Sequence, residues 1–281
     1  QTCALPIFAK QGIAQALQAR QQFQTPRKIL VEHLQEQYHS VSALPRVADN
    51  IQLLLDPTTF SVCTAHQPAL FTGPLYVIYK IIHTVQLAQQ LQKDFPGKKF
   101  VPIFWMGSED ADLEELGSFF LGQTKLTWTT KQTGAVGRMK TTGLETLIQR
   151  VAGELGVFPH GPELVTLLQE AYGGKNTDLQ TGTFRFLHQL FGVYGLVVLI
   201  PDHARLKSQF KSICEDDLFR QTPYEVVQQT VQQLQEKYEV QARPRPINLF
   251  YLHEQIRNRI EKRGDHFVVV DTALQFKKEE L

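Results

Sequence analysis

The segment from Phe60 to Leu91 constrains the fold more than any other part of the sequence. It begins with FSVCTA, a run rich in β-branched and aromatic residues that predicts a buried strand. After the loop HQPALFTG, Pro74 opens a run with apolar residues at helical spacing, which predicts a helix packed on a sheet. A strand, a tight turn and a helix N-terminus together place free backbone N–H groups where an anion can bind. We therefore interpret this segment as the first half of a nucleotide-binding α/β unit.

Strands and helices alternate along the rest of the chain. Further strands are predicted at KFVPIFWM, GLVVLI and FVVVD, with helices between them. This order predicts an α/β, Rossmann-like fold with a mostly parallel sheet, helices on both faces, inserted connective segments and long helices. Ligands of such sheets bind beyond the carboxyl ends of the strands. We therefore expect residues 66–73, 107–112 and 201–203 to surround one crevice.

The domain organisation follows from the same pattern. We interpret residues 1–8 as a sequencing-adaptor artefact and exclude them from the fold. The predicted parts are N-terminal helices at 9–58, the first half of the core at 59–116, an inserted hairpin and helices at 117–182, and the second half of the core at 183–281, with a long helix near 222–238. Thr222 and Glu225 are placed as the capping box of that helix. Both ends look cut, so we expect a fragment of a longer protein.

Composition excludes several classes of function. The 281 residues carry a formal net charge of +1, so no basic field indicates nucleic acid. No apolar run approaches the roughly 20 residues that span a bilayer. The three cysteines and nine histidines show no disulfide or zinc-ligand spacing, and no metal site with protein ligands is predicted. We expect a protein of a reducing compartment, in the cytoplasm.

Lys80 is the first candidate for chemistry, on the predicted helix after the turn. Its side chain leaves the helix on the side of Tyr76, away from the apolar face, and leans back toward the N-terminus. It would then approach an anion held by Thr72 and Gly73. The alternative is a surface lysine whose stem lies along apolar residues. The standard phosphate-binding motifs, Walker A and GxGxxG, are absent from the sequence.

Polar residues at the ends of the first two strands are further candidates. His66 and Gln67 end the first strand, where a substrate-reading pair would lie, although a histidine there is more often structural. Glu109, Asp110 and Asp112 follow the second strand and could hold a substrate ammonium or a magnesium ion that bridges phosphates. For Asp112 a capping role is the stronger alternative. Lys80, Gln67 and Asp110 are our catalytic candidates; His66, Thr72, Gly73, Tyr76, Glu109 and Asp112 are our substrate- or nucleotide-binding candidates.

Two strings of residues identify a family resemblance. TAHQPALFTGPLYVIYKIIHTVQLAQQL and VPIFWMGSEDADLEEL resemble the BshC family of cysteine ligases in bacillithiol biosynthesis. That family usually has EDHD in the second string, and here Ala111 replaces the histidine, which weakens any role at that position. FGVYGLVVLIPD and INLFYL also resemble the family. The similarity covers the chain from about residue 22 to its end.

The resemblance implies a function for the complete protein. It implies ligation of cysteine to glucosaminyl-malate through an amide bond, the last step of bacillithiol synthesis, with an activated carboxylate as intermediate. ATP and Mg²⁺ are the implied cofactors, and a C-terminal coiled coil, absent here, would form a homodimer. No nucleic-acid or membrane partner is implied. A different hypothesis is a nucleotide-binding scaffold or assembly protein without turnover.

Overall fold

The computed structural model describes residues 10–174 and 176–281, and the prediction for residues 1–8 lies outside them. The helices are α1 (Lys10–Gln21), α2 (Arg27–Tyr38), α3 (Pro45–Leu53), α4 (Tyr76–Asp94), α5 (Leu113–Leu116), α6 (Leu144–Leu155), α7 (Gly161–Tyr172), α8 (Leu179–Phe191), α9 (Ala204–Lys207), α10 (Lys211–Phe219) and α11 (Thr222–Leu234). The strands are β1 (Thr59–His66), β2 (Lys99–Met106), β3 (Ser118–Leu121), β4 (Thr124–Thr127), β5 (Val197–Leu199), β6 (Phe250–His253), β7 (Ile256–Arg263), β8 (His266–Val269) and β9 (Gln275–Lys277).

A three-stranded parallel sheet with the order β1-β2-β5 forms the Rossmann-like centre. β1 and β2 are in register along their whole length, from Thr59 opposite Lys99 to His66 opposite Met106. β5 pairs with β2 only over Ile103 to Trp105. All three strands run the same way, so their carboxyl ends meet at one edge of the sheet, as the sequence predicts.

Helices cover both faces of the central strand. Val101 and Ile103 point to one face of β2, and Phe104 and Met106 point to the other. All four side chains are at most 5% exposed and belong to one core, which α2, α3, α4 and α8 complete. Burial on both faces explains why β2 is a nearly continuous apolar run. The predicted α/β, Rossmann-like class is confirmed.

The inserted segment has its own core beside the sheet. β3 and β4 form the predicted antiparallel hairpin, and α6 and α7 follow it. Helix α8 joins the two cores, because Phe184 and Leu187 pack in the first and Leu179 and Phe186 pack in the second. This double contact makes α8 the element that fixes the insertion against the sheet.

The C-terminal region differs from the prediction. Residues 250–277 form a separate antiparallel sheet, β6-β7-β8-β9, and not the second half of the parallel core. FVVVD therefore contributes to an antiparallel strand, and Arg257 and Arg259 lie in β7. An apolar β-branched run predicts a strand but not the direction of its neighbour, which here follows from short hairpin turns.

Three helix boundaries are also corrected. α4 begins at Tyr76, two residues after Pro74, and a 3₁₀ turn over Leu70–Thr72 precedes it. α11 ends at Leu234, short of the predicted 238, and its N-cap is Gln221. The predicted capping box is absent, since the Thr222 hydroxyl donates a hydrogen bond to Asp216 across a 3.0 Å O–O distance. Within the described part of the chain, no helix has both the length and the apolar character needed to cross a bilayer.

Candidate functional site

A polar cavity of about 580 Å³ lies at the carboxyl ends of β1 and β2. The strand ends, the start of α4, the segment after β2, the end of β5 and strand β7 contribute its walls. Its lining residues are Ala65, His66, Gln67, Tyr76, Lys80, Trp105, Gly107, Glu109, Asp110, Glu115, Pro201 and Arg257. The cavity thus brings together six of the nine predicted site residues at the predicted edge of the sheet: His66, Gln67, Tyr76, Lys80, Glu109 and Asp110.

Hydrogen bonds fix the orientation of the His66 ring. Its Nδ1 lies 2.9 Å from the carbonyl oxygen of Gln67, and its Nε2 lies 2.7 Å from the Tyr76 hydroxyl. A carbonyl oxygen only accepts, so Nδ1 carries the proton. In the neutral ring Nε2 then accepts from the Tyr76 O–H group. The imidazole is held between β1 and α4 with one edge at the cavity.

Gln67 and Asp110 connect the ends of the first two strands. The Gln67 amide donates to the Asp110 carboxylate across 3.1 Å, and the backbone N–H of Ala111 donates to the other carboxylate oxygen across 2.7 Å. The Gln67 hydrogen bond lowers the pKa of Asp110 below its ordinary value, against a smaller opposing effect of burial. Asp110 therefore presents an ionised carboxylate to the cavity at neutral pH.

Lys80 lines the polar cavity, whereas Gly73 lines a different one. Its ammonium donates to the carbonyl oxygen of Ala65 across 2.5 Å and lies 5.8 Å from the centre of the Tyr76 ring. The predicted contact of Lys80 with an anion at Gly73 stays a prediction. The side chain leans toward the end of β1, where the Ala65 carbonyl at the sheet edge accepts its hydrogen bond.

Thr72 and Gly73 line a second cavity of about 800 Å³, which is mainly apolar. The loop before α4, helix α5, the hairpin and helices α6, α7 and α8 form its walls. Gly73 has φ of +61°, and a Cβ atom there would lie 2.5 Å from the Cβ of Ala69, so only glycine fits this turn. The turn shapes the apolar cavity, and of the other predicted residues only His66 also lines it.

Asp112 also lies outside the polar cavity, with its side chain at the start of α5. Its carboxylate accepts a hydrogen bond from the backbone N–H of Glu115 across 3.0 Å, so it is the N-cap of α5. The three carboxylates at 109, 110 and 112 consequently point to different partners. No group of three metal-ligating side chains that could hold a metal ion occurs in residues 10–174 or 176–281.

A chain of ion pairs supports Glu109. Lys207 contacts the carboxylates of both Glu109 and Asp202. Arg138, from the insertion, binds Asp202 through two hydrogen bonds, with Nε–Oδ2 and Nη2–Oδ1 distances of 2.5 and 2.7 Å. The Asp202 side chain is only 2% exposed. The network therefore ties the insertion, the end of β5 and the segment after β2 to one another beside the cavity.

Sequence reasoning missed several residues of the cavity wall, of which Arg257 is the most important. It comes from β7, some 150 residues beyond Asp110 in the chain. No local motif marks it, because a basic residue on an exposed strand is ordinary. Trp105 and Glu115 were also missed. The position of Trp105 near the end of β2 could have indicated it, whereas no signal in the sequence marks Glu115.

Comparison with known proteins decides the family. Residues 8–281 match the family model described as "Bacillithiol biosynthesis BshC, N-terminal Rossmann-like domain". The chain belongs to the BshC family. The resemblance seen in the two sequence strings is thereby confirmed, and the polar cavity described above is the cavity of a BshC Rossmann-like domain.

Curated BshC relatives agree with this assignment. A protein of Cytophaga hutchinsonii named "Putative cysteine ligase BshC" is 38% identical over 271 residues, which cover 96% of this chain and 50% of the relative. The proteins of the same name in Flavobacterium johnsoniae and Salinibacter ruber are 38% and 32% identical, and the matches cover 91% and 80% of this chain and 48% and 43% of the relatives. The chain thus spans about half the length of the curated relatives it matches.

Proposed function

We propose that this chain is the Rossmann-like part of a ligase that joins cysteine to glucosaminyl-malate in bacillithiol synthesis. The observation that carries the proposal is the polar cavity, in which two cations and three carboxylates line one space at the carboxyl edge of the parallel sheet. Lys80 and Arg257 supply the positive charges, and Glu109, Asp110 and Glu115 supply the negative ones. Membership of the BshC family and the names of the relatives support it.

The charges suit an amino-acid substrate. Cysteine carries a carboxylate and an ammonium group, and formation of an amide requires its carboxylate to be activated. ATP would supply that activation, as an acyl adenylate or an acyl phosphate, with Mg²⁺ on its phosphates. In the proposed roles Lys80 stabilises negative charge on the carboxylate or the phosphoryl group, while Asp110 and Glu109 hold the ammonium. Gln67 and His66 orient Asp110 and Tyr76.

Product formation tests the proposal directly. The chain, extended to the full length of its family, would be incubated with ATP, cysteine and glucosaminyl-malate, and the product followed by mass. We expect the mass of bacillithiol, dependent on all three substrates. Nucleotide binding without product would instead support the scaffold hypothesis. A cytoplasmic location and a homodimer of the full-length protein stay predictions of the resemblance.

Lys80→Ala is expected to reduce product formation by about tenfold or more. The reason is the loss of a charge-assisted contact worth roughly 1.5–3 kcal/mol. Lys80→Arg should restore little activity, because a planar guanidinium does not replace a compact ammonium at the Ala65 carbonyl. Initial rates and thermal melts of both variants check this result. Lys93→Ala, an exposed lysine of the same helix, is the matched control. Wild-type activity in Lys80→Ala would show that Lys80 is a surface lysine without a role in the reaction.

Asp110→Asn is expected to raise the KM for cysteine or for the amino sugar by about tenfold, because a neutral amide loses the charge-assisted bond to an ammonium. Stability should change little, since the new side chain can still accept from Gln67. Asp112→Asn is the control: asparagine is as good an N-cap as aspartate, so both KM and stability should stay near wild type. Equal KM values for the wild type and Asp110→Asn would remove Asp110 from the substrate site.

A further inference from the structure

Arg257 has no partner that accounts for its place in the cavity wall. Its guanidinium lies over the Phe250 ring, 4.1 Å from the centroid, and so one face of the group is held. Within residues 10–174 and 176–281 its side chain forms no hydrogen bond or ion pair, although its charge helps to lower the pKa of Asp110 across the cavity. Its neighbour Arg259, two residues along β7, pairs with Glu261 at 3.4 Å and lies outside the polar cavity.

A close backbone contact holds Arg257 at the cavity. Residues Glu254 and Gln255 form the two-residue turn between β6 and β7, and Arg257 is the second residue after it. The Gln255 carbonyl accepts a hydrogen bond from the Thr133 hydroxyl across 2.9 Å. At Gly134 an added Cβ atom would lie 2.7 Å from the carbonyl carbon of Gln255, and φ there is +89°. Glycine is required on both counts.

The contact at Gly134 therefore has a geometric consequence. It lets the tip of the antiparallel sheet dock on the insertion, and the docked turn directs the next side chains of β7 toward the ends of β1 and β2. Arg257 thus reaches the cavity at the parallel sheet although its own strand belongs to the separate sheet β6–β9. A guanidinium fixed by an aromatic ring, with free donors facing a cavity, is suited to bidentate binding of a carboxylate.

We propose that Arg257 binds a malate carboxylate of glucosaminyl-malate. The close contact between Gly134 and the Gln255 carbonyl, which we call the Gly134 contact, positions Arg257 for this role. The inference rests on the proposed function. The carboxylate of cysteine loses its charge when the amide forms, whereas the malate carboxylates keep theirs throughout. A fixed arginine that binds equally before and after reaction fits the group that persists, and Lys80 is left for the group that reacts.

Binding of L-malate to the 281-residue chain tests the inference without turnover. The readout is the Nε–Hε signal of arginine side chains in proton–nitrogen spectra, with the Arg257 signal assigned by its loss in Arg257→Lys. We expect a saturable shift of the Arg257 signal in the millimolar range and no shift at Arg259. Arg257→Lys should weaken malate binding about tenfold, because a lysine cannot bind both carboxylate oxygens in the same plane. Arg259→Lys is the matched control and should bind as the wild type does.

Gly134→Val tests the role of the Gly134 contact separately. This variant should lose the malate-dependent shift of the Arg257 signal. Its thermal melt should remain cooperative, because the Gly134 contact lies outside the buried cores. Absence of a saturable shift in the wild-type chain, or equal malate binding in Arg257→Lys and Arg259→Lys, would overturn the inference. If malate still shifts the Arg257 signal in Gly134→Val, the claim that the Gly134 contact positions Arg257 would be overturned.

The assay with full-length protein separates this inference from the proposed function. If bacillithiol forms and Arg257→Ala leaves the KM for glucosaminyl-malate unchanged, the inference is wrong and the function stands. If no product forms but malate still shifts the Arg257 signal, the carboxylate site stands and the function is wrong. A rise in that KM by about tenfold, with the KM for cysteine unchanged, supports both.

Discussion

Replacement of Asp202 by asparagine is expected to lower the free energy of unfolding by about 3 kcal/mol at neutral pH. Asp202 is 2% exposed and is the common partner of Arg138 and Lys207. An asparagine of the same size leaves Arg138 without its carboxylate partner, and Lys207 with Glu109 alone, in a partly buried site. The loss of a buried partner costs far more than the loss of a surface ion pair, which is worth about 0–1 kcal/mol. Urea midpoints of the two proteins give the difference.

The pH dependence of the same pair of proteins adds a second check. Burial raises the pKa of Asp202, but hydrogen bonds from Arg138 and Lys207 outweigh it and hold the pKa below its ordinary value. A carboxyl group with a lowered pKa in the folded state stabilises the protein above the unfolded value of about 3.9 and loses that contribution as pH falls through the folded value. The difference between the wild type and Asp202→Asn should thus be constant near neutrality and shrink below about pH 4.

The control for this prediction is Asp49→Asn. Asp49 is exposed on α3, and its change should stay within about 0.5 kcal/mol. Should Asp202→Asn prove no less stable than this control, the ion-pair network would contribute nothing measurable to the free energy of unfolding. A difference that persists undiminished at pH 3 would show that the effect comes from packing and not from the charge.

The sequence predicts the part of the site that the parallel sheet determines. Strands β1 and β2 are marked by apolar runs, and the rule that ligands bind at their carboxyl ends correctly groups His66, Gln67 and Asp110. The contact of Lys80 with the Ala65 carbonyl was not predicted, because the sequence does not show how the loop before α4 folds. That loop contains the 3₁₀ turn and the strained residues Phe71 and Thr72, both with positive φ, which carry Gly73 into the other cavity.

The remaining walls depend on contacts between distant parts of the chain. Arg138 and Asp202 are 64 positions apart, and Thr133 and Gln255 are 122 apart. Neither pair belongs to a periodic pattern, so no local rule predicts it. The direction of the C-terminal strands was missed for a related reason, since periodicity reports burial and not the partner strand. Sequence reasoning therefore recovers the edge of the sheet and not the insertion that encloses it.

One short stretch of the insertion, residues 133–138, makes most of these distant contacts, and we call it the linking segment. Thr133 and Gly134 hold the β6–β7 turn. Val136 and Gly137 donate backbone hydrogen bonds to the carbonyl oxygens of Asp110 and Ser108, with N–O distances of 2.7 and 3.0 Å. Arg138, the last residue of the segment, pairs with Asp202. Three walls of the polar cavity are thus attached to six consecutive residues.

Gly137→Val is expected to be the most disruptive single change in the linking segment. An added Cβ atom would lie 2.5 Å from the Ser108 carbonyl oxygen and 2.6 Å from its Cβ, and Ser108 is fully buried, so neither side can yield. Overpacking of this kind costs about 3 kcal/mol. The displaced segment would also pull Arg138 from Asp202 and move Glu109 and Asp110, so product formation should fall together with the melting temperature.

Gly153→Ala provides the contrasting measurement for Gly137→Val. Gly153 is exposed in the interior of α6, and no atom lies within 4 Å of an added Cβ. Alanine there should raise stability by up to about 1 kcal/mol, because it favours the helix. Thermal melts and product assays on both variants separate the requirement for glycine at 137 from a general sensitivity of the insertion. A Gly137→Val protein with wild-type stability and activity would show that the linking segment does not hold the cavity walls together.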